Sequence, residues 1–470
     1  MIIFAKLRAR LHLDKIIKAY HSYFMKREKL FTRMGIITLC AFILIHNGAC
    51  GKSGSLQFDY NNNANAGPAY PDVQFTVISD THLYDPSLGA SGSAFEKALN
   101  ADRKLLLDSI DLLDFAVNDI IGSGSRFVLV SGDLTKDGEL NNHQIVAARL
   151  KRFIDAGIAV YVVPGNHDIN NPDSVKYYGD SSEAIPSVSA EEFAKIYGDC
   201  GFNAALMRDS DSLSYVAEPV PGLWLLAIDD CRYRENKPGI EEVVSGKISQ
   251  KTADWIAGVL RTAADQNKAV MAMMHHGMVE HWKGQAKLHP DYLIEDYVNF
   301  GKFLASWNVR FGFSGHYHAQ DIVLGKFSDK YLYDIETGSL ITAPCPIRYV
   351  TIKNNVMDIH SDTIVNKIHP GTDFAANAEA FVKRTVMIEA AHTFRNYKMP
   401  EKDIEQVANA AGDAFVAHYS GDENPALRPP FDSKKLGLWS RFIYSQFKYV
   451  IDGLWEDLPP EDNNVRIELK

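Results

Sequence analysis

Five short motifs contain residue types that bind metal ions, and each follows an apolar, strand-like run. In chain order they read VISDTH, VLVSGD, VVPGNHD, MAMMHHG and FGFSGHYH. Their carboxylate, carboxamide and imidazole side chains belong to Asp80, His82, Asp133, Asn166, His167, Asp168, His275, His276, His316 and His318. A single Gly-Asp or Asp-x-His pair is common in polar loops, but five such loops in succession indicate one assembled site.

The donor types fit a centre of two transition metal ions. Carboxylate, amide oxygen and imidazole together suit Mn, Fe, Zn or Co, and no motif supplies the cysteines of a structural zinc site. Two ions about 3.5–4 Å apart need a shared anionic ligand, and Asp133 is the candidate. A hydroxide between the ions would attack phosphorus in line. His167 would then protonate the leaving oxygen, with Asp168 orienting it.

The apolar pattern around the motifs predicts the elements that position them. Strands are predicted over 73–79, 127–130 and 159–163, with helical patterns over 94–121 and 139–156 between them. This alternation indicates a parallel sheet covered by helices. Because ligand sites form at the carboxyl ends of such strands, the motif loops are expected to converge on one crevice.

The second half of the chain predicts further α/β structure and then an all-helical end. Helices are predicted over 248–264 and 291–307, and short strands dominate from 310 to 364. Later helical patterns cover 375–394, 401–419 and 438–458. The sequence therefore predicts a main domain over 71–365 and an appended helical region over 366–470.

The motif set resembles that of the calcineurin-like metallophosphoesterase superfamily, which uses D-x-H, G-D, G-N-H-[DE], H and G-H-x-H loops. The resemblance covers about residues 73–364 and implies a four-layer α/β/β/α sandwich with two mixed sheets. It implies one ion held by Asp80, His82, Asp133 and His318. It implies a second ion held by Asp133, Asn166, His275 and His316. His276 is left to support these ligands or to contact the phosphate.

Some residues near the motifs differ from those of particular branches of the superfamily, and these differences reduce the number of substrate classes to expect. No arginine follows Asp133 as it does in the Ser/Thr protein phosphatases, and Lys136 stands where purple acid phosphatases carry tyrosine. The run SGDLTKDGE is similar to the branch that hydrolyses cyclic nucleotides and glycerophosphodiesters, although Gly277 and Met278 replace prolines that are common there. The resemblance thus favours a small phosphodiester over a phosphomonoester.

The N-terminus has the order of an export signal. From Met25, which is a candidate for the true start, basic residues precede a short apolar run over 35–45 and then small residues before Cys50. This order resembles a bacterial lipoprotein signal over 1–49. It predicts lipidation of Cys50, a location in the cell envelope facing the periplasm or the cell surface, and a flexible tether over 50–70. Plain secretion and an uncut membrane anchor are the alternatives.

The charge of the predicted mature chain argues against polyanionic substrates. The whole chain has a formal charge of −10, but residues 1–49 contain nine Lys/Arg and two Asp/Glu, so the remainder carries −17. Such a chain repels nucleic acid, whereas a small phosphorylated substrate held by metal ions escapes this objection. A nuclease with a local basic groove and a catalytically inert binding lipoprotein remain as alternatives.

Three cysteines follow Cys50, namely Cys200, Cys231 and Cys345. An exported protein can form a disulfide, for which Cys200–Cys231 is one possibility. Buried free thiols are the other, and the sequence does not choose between them.

Overall fold

Strands rich in apolar residues form two large sheets in the computed structural model, which describes residues 56–61 and 67–469. In chain order the strands are β1 (Val73–Ile78), β2 (Phe127–Val130), β3 (Ala159–Val162), β4 (Val175–Tyr178), β5 (Ser181–Ala184), β6 (Met207–Arg208), β7 (Tyr215–Val220), β8 (Leu223–Ala227), β9 (Ala269–Met273), β10 (Phe311–Ser314), β11 (Asp321–Phe327), β12 (Lys330–Glu336), β13 (Pro346–Lys353), β14 (Val356–Thr363) and β15 (Asn464–Glu468).

The helices separate or follow these strands. They are α1 (Ser93–Asn100), α2 (Ser109–Ile121), α3 (Leu140–Asp155), α4 (Ala190–Ile196), α5 (Gln250–Asp265), α6 (Gln285–Leu288), α7 (Tyr297–Ser306), α8 (Phe374–Asn396), α9 (Glu401–Ser420) and α10 (Leu438–Gly453). The residues from Gln57 onward form one compact unit.

Both large sheets are mixed, and their apolar faces pack against each other. The first has the order β15-β14-β13-β1-β2-β3, and the second has the order β11-β12-β10-β9-β8-β7-β6. The strands β1, β2 and β3 run parallel, as do β8, β9, β10 and β12. Phe75 of the first sheet meets Phe313 of the second edge to face, with ring centroids 5.6 Å apart. Strands β2 and β9 are buried throughout and β1 is nearly so, which explains their continuous apolar runs.

Helices cover the outer face of each sheet. On the first sheet α3 contacts β3 and α2, and on the second α5 contacts β9 while α7 contacts β11 and β12. The predicted α/β fold with two mixed sheets and C-terminal helices is therefore confirmed. The C-terminal region also contains β15, which pairs antiparallel with β14 and extends the first sheet.

The helical pattern predicted over 94–121 is two helices rather than one. Between α1 and α2, Leu105 donates its backbone N–H to the carbonyl of Ile341, which draws this part of the chain towards the second half of the protein. Leu105 and Leu106 continue the apolar spacing, so the sequence pattern alone hid the break. The helix predicted over 291–307 likewise begins only at Tyr297.

The described part of the predicted tether packs against the second sheet and its helix α7. Phe58 stacks on Phe303 of α7 with ring centroids 5.0 Å apart, and Tyr70 donates its hydroxyl hydrogen to the carbonyl of Val270. Residues 57–61 and 67–70 thus make contacts that a flexible linker would not need. The predicted export signal and Cys50 lie outside the described residues.

Two further sequence questions have plain outcomes. Cys200, Cys231 and Cys345 are all free thiols in the structure. Among the described residues, no helix is long and apolar enough to cross a membrane.

Candidate metal centre

The five motifs occupy loops at the carboxyl ends of five strands. Asp80 and His82 follow β1, Asp133 follows β2, and Asn166 follows β3. From the second sheet, His275 follows β9, and the pair His316 and His318 follows β10. Since β1, β2 and β3 run parallel in one sheet, and β9 and β10 in the other, these ends form a single edge. The structure brings all seven predicted ligands together there.

One group of donors consists of Asp80, His82 and His318, all of them buried. The Nε2 atoms of His82 and His318 are 3.1 Å apart. Asp80 Oδ1 lies 3.4 Å from His318 Nε2 and 3.7 Å from His82 Nε2. The three side chains thus present one nitrogen or oxygen each to a common point.

A second group consists of Asp133, His275 and His316, with Asn166 beside them. His275 Nε2 lies 3.3 Å from Asp133 Oδ2 and 3.2 Å from Asn166 Oδ1. The other ring nitrogen of His275 is 2.8 Å from the carbonyl oxygen of Ser131. A carbonyl only accepts, so the neutral form of His275 carries its hydrogen on Nδ1, which leaves Nε2 available as a ligand.

Asp133 connects the two groups, because its Oδ2 atom also lies 3.4 Å from His82 Nε2. Ligand atoms bound at about 2.1 Å to one ion are roughly 3.0–3.4 Å apart in octahedral or tetrahedral geometry, and the distances above fall close to this range. In the described part of the chain, the buried His316 Nε2 atom has no hydrogen-bond partner. The donor set and this unpaired nitrogen fit a pair of transition metal ions sharing Asp133.

The backbone at these positions is strained. Asp80, His82, Asp133, His316 and His318 have φ angles of 51°, 34°, 50°, 72° and 70°. Non-glycine residues rarely adopt positive φ, at a cost of about 1–3 kcal/mol each, and they concentrate at functional sites. Five such residues in one cluster indicate that the fold holds these side chains in place against their local preference.

The glycines of the motifs make room for the donors. A Cβ atom on Gly165 would overlap the carboxylate of Asp133, and one on Gly315 would overlap the carboxylate of Asp80. This close approach explains why the motifs read P-G-N-H and S-G-H, since any larger residue would displace a donor.

The electrostatics of the cluster favour most ligands in their metal-binding forms. His275 is the exception, because burial opposes its charged form but the carboxylates of Asp133 and Asp80 outweigh burial and raise its pKa to about 10. Burial, together with the charge of Lys104, lowers the pKa of His82 to about 3, and burial next to other histidines lowers the pKa of His316. Burial opposes ionisation of Asp80 and Asp133, but the surrounding histidines outweigh it and hold both carboxyl pKa values low. Neutral imidazoles and ionised carboxylates are the forms that coordinate metal.

His167 lies beside the cluster and contacts acidic side chains on both ring nitrogens. Its Nδ1 atom is 3.0 Å from Asp137 Oδ1, while Nε2 is 3.4 Å from Glu242 Oε1 and 4.0 Å from Asp133 Oδ2. Burial disfavours a charged imidazole, but these carboxylates outweigh it and raise the pKa of His167 to about 9. These carboxylates favour the protonated form of His167, whereas the positive charge of Lys104 opposes it.

Asp168 does not orient His167, contrary to the sequence-based prediction. Its carboxylate accepts hydrogen bonds from the backbone N–H groups of Gly165, Leu134 and Thr135 at 2.9–3.1 Å. It thereby ties the loop of Asp133 to the loop of Asn166. Side chains of adjacent residues point in different directions in this tight turn, and the partner of His167 is Asp137.

His276 supports the cluster and has no nitrogen left for phosphate. Its Nδ1 atom is 3.0 Å from Asp230 Oδ2, and its Nε2 atom is 2.7 Å from the carbonyl oxygen of Val244. Its ring packs against that of His316, with the ring centroids 4.3 Å apart. Of the two roles left open by the sequence, only support of a ligand matches these contacts.

Three residues near the cluster were not identified from the sequence. Asp137 lies in the same SGDLTKDGE run as Asp133, which was a usable signal. Lys104 places its Nζ 3.4 Å from His167 Nε2, but the sequence placed it inside a helix. Glu242 contacts Asn166 and Asn171, and it comes from a loop that carries no recognisable motif.

The chain is similar to several known proteins. A family model described as calcineurin-like phosphoesterase matches residues 73–320, which is more than half of the chain. No curated protein sequence matches. Among solved structures, a dimetal phosphatase from Danio rerio is 16% identical, covers 63% of this chain and 96% of its own, and gives a TM-score of 0.46.

A purple acid phosphatase from yellow lupin seeds is 12% identical and gives a TM-score of 0.40, and the match covers 64% of this chain and 52% of that one. The family model covers more than half of the chain, and this coverage shows which family the chain belongs to. The chain belongs to the calcineurin-like phosphoesterase family.

Proposed function

We propose that the protein is a phosphoester hydrolase that uses two divalent or trivalent transition metal ions and acts on small phosphorylated molecules. The observation that supports this most is the position of Asp133, whose Oδ2 atom lies within 3.4 Å of one histidine from each donor group. Such a carboxylate can serve both ions at once.

The seven donors would hold the ions in two sets. One set is Asp80, His82, Asp133 and His318, and the other is Asp133, Asn166, His275 and His316. When bound, the ions would lower the pKa of water to give a nucleophile near neutral pH and would neutralise charge on the phosphoryl oxygens.

His167 is the proton donor in this proposal. Asp137 accepts the Nδ1 hydrogen and fixes the ring, so that the Nε2 hydrogen is available to the leaving oxygen. The neighbouring carboxylates raise the pKa of His167, which favours retention of that hydrogen. A leaving alkoxide would take it as the bond to phosphorus breaks.

Lys104 supplies a fixed positive charge next to this proton donor. Its ammonium group is buried, lies 2.9 Å from Asp102 and is 3.4 Å from His167 Nε2. Burial opposes the charge, but Asp102 and Asp133 outweigh it and raise the pKa of Lys104. We assign Lys104 to binding a non-bridging oxygen of the substrate phosphate, which suits an ammonium group.

Within this class we favour a small phosphodiester over a phosphomonoester, because the loop after Asp133 resembles that of the phosphodiesterase branch. The formal charge of −17 over residues 50–470 disfavours long nucleic acids.

The test is turnover of the purified full chain after metal removal and reloading with Mn, Zn, Fe or Co. Substrates are bis-p-nitrophenyl phosphate, p-nitrophenyl phosphate, a cyclic nucleotide and a DNA oligonucleotide. Turnover should require metal and should fall by about 10³-fold or more in Asp133→Asn. Asp111→Asn, which changes an exposed carboxylate of α2, should keep full activity. Metal-independent turnover, or an active Asp133→Asn, would rule the proposal out.

We also propose export of the chain and lipidation at Cys50, on the basis of the basic, apolar and small-residue order before it. The mature protein should fractionate with membranes and carry acyl mass at Cys50. Cys50→Ala should abolish the acyl mass, and a soluble wild-type protein with an intact N-terminus would contradict the proposal.

A further inference from the structure

A second group of buried metal-binding residue types lies away from the candidate centre. Asp321 is the first residue of β11, His418 lies in the last turn of α9, and Glu423 follows that helix. Their side chains are 4%, 1% and 2% exposed. The three residues, here called the β11–α9 triad, join the sheet to the C-terminal helical region.

The donor atoms of the β11–α9 triad converge. His418 Nδ1 contacts Glu423 Oε1 and lies 3.7 Å from Asp321 Oδ2, and one ligand atom from each residue lies within 4.8 Å of the others. Within the described residues, two buried atoms of the triad, Glu423 Oε2 and His418 Nε2, have no hydrogen-bond partner. An unpaired carboxylate oxygen in the interior is costly unless a cation meets it.

The surroundings of the triad hold more carboxylates than cations. His281 contacts two carboxylates at once, since its Nδ1 atom is 3.0 Å from Asp321 Oδ1 and its Nε2 atom is 3.3 Å from Asp334 Oδ2. The guanidinium of Arg348 donates to the backbone carbonyls of Asp462, Asp321 and Glu336 rather than to their carboxylates.

Asp462 is a further acidic group near the triad. Its carboxylate accepts hydrogen bonds from the backbone N–H groups of Ile322 and Asp422. A divalent ion would offset the negative charges of the Asp321 and Glu423 carboxylates and would also use the unpaired oxygen of Glu423.

We propose that Asp321, His418 and Glu423 bind a divalent transition metal ion, separate from the catalytic pair, that fastens the C-terminal helical region to the phosphoesterase domain. One imidazole and two carboxylates form a ligand set suited to zinc or manganese. Such an ion would have a mechanical role, because the triad joins β11 to the end of α9. Asp321 also lies only three residues after His318 of the candidate centre.

Other contacts at the junction match this role. The backbone N–H of Gln320 donates to the carbonyl of Tyr419, and the ring of Tyr317 packs 5.6 Å from that of His418. The loop between β10 and β11 is thereby held against the end of α9. An ion at the triad would strengthen this attachment without touching substrate.

The test counts ions and locates them in the full chain. The purified protein is stripped with a chelator, reloaded with Zn²⁺ or Mn²⁺, freed of loose metal and measured by plasma mass spectrometry. Glu423→Gln and His418→Gln should each bind one ion fewer than the wild type. Asp457→Asn is the matched control, since it removes a nearby carboxylate outside the triad and should leave the count unchanged.

Two readouts separate this ion from the catalytic pair. Zn²⁺ should raise the Tm of stripped Asp133→Asn, and this rise should shrink when Glu423→Gln is added. Crystals of the zinc-loaded wild type should show an anomalous peak between Asp321, His418 and Glu423, which decides the question even if a variant fails to fold. Absence of that peak, or equal ion counts in the wild type and the folded variants, would overturn the proposal.

Discussion

His167 and Asp168 are neighbours in the chain, but their side chains make different contacts in the structure. His167 faces Asp137 and Glu242, whereas Asp168 accepts three backbone N–H groups that hold two loops together. The proposed proton donor thus contacts a residue 30 positions earlier in the sequence. This arrangement predicts different consequences for the loss of each carboxylate.

Asp137→Asn should lower kcat about 10- to 100-fold for substrates with poor leaving groups, because the ring of His167 loses its charged acceptor. Substrates with good leaving groups, such as p-nitrophenolate, need little proton transfer and should be affected less. Steady-state kinetics with a leaving-group series measures this difference. Asp168→Asn should instead lower the Tm and reduce turnover of every substrate alike. An equal effect of Asp137→Asn on good and poor leaving groups would contradict its positioning role.

Lys104 gives a second prediction for a single residue. Lys104→Met should raise KM about tenfold or more, since a charged hydrogen bond to phosphate contributes about 1.5–3 kcal/mol. Lys97→Met changes an exposed lysine of α1 and should leave KM unchanged. The comparison requires initial rates over a range of substrate concentrations. An unaltered KM in Lys104→Met would remove Lys104 from the substrate site.

At the scale of elements, the break between α1 and α2 connects the site to the C-terminal helices. Lys104 faces the candidate centre, while the neighbouring Arg103 forms a buried ion pair with Glu389 of α8 at 2.5 Å. The helical region therefore supports the segment that carries Lys104. This connection is visible only in three dimensions, because 286 positions separate the two charged residues.

Glu389→Gln should destabilise the protein by about 3–5 kcal/mol, because it leaves the buried guanidinium of Arg103 without its charged partner. Urea unfolding measures the free-energy change. The matched control is Glu401→Gln, which breaks the exposed pair of Glu401 with Arg395 and should leave the midpoint nearly unchanged. If both variants unfold at the wild-type midpoint, the pair does not fasten α8.

The sequence predicted those elements and residues whose signals are local. Apolar runs predicted the strands, and the candidate ligands followed because each lies within a few residues of a strand end. Lys104 and Glu242 were missed because their roles depend on neighbours that folding brings together, whereas Asp137 lies in the same SGDLTKDGE run as Asp133 and could have been found. The break before α2 was missed for the same reason, since Leu105 finds its hydrogen-bond partner at Ile341.

At the scale of the whole molecule, two sheets contribute their strand ends to one edge, and neither sheet holds a complete donor group. Asp80, His82 and Asp133 come from the first sheet, and His275, His316 and His318 come from the second. Any metal ion in the centre would therefore crosslink the two sheets. Chelation should lower the Tm of the wild-type protein, and restoring Mn²⁺ should recover it.

The most direct measurement is a crystal structure of the manganese-loaded protein with data collected at the manganese absorption edge. We expect two anomalous peaks about 3.5–4 Å apart, with the carboxylate of Asp133 in contact with both. A single peak, or two peaks that Asp133 does not join, would contradict the account.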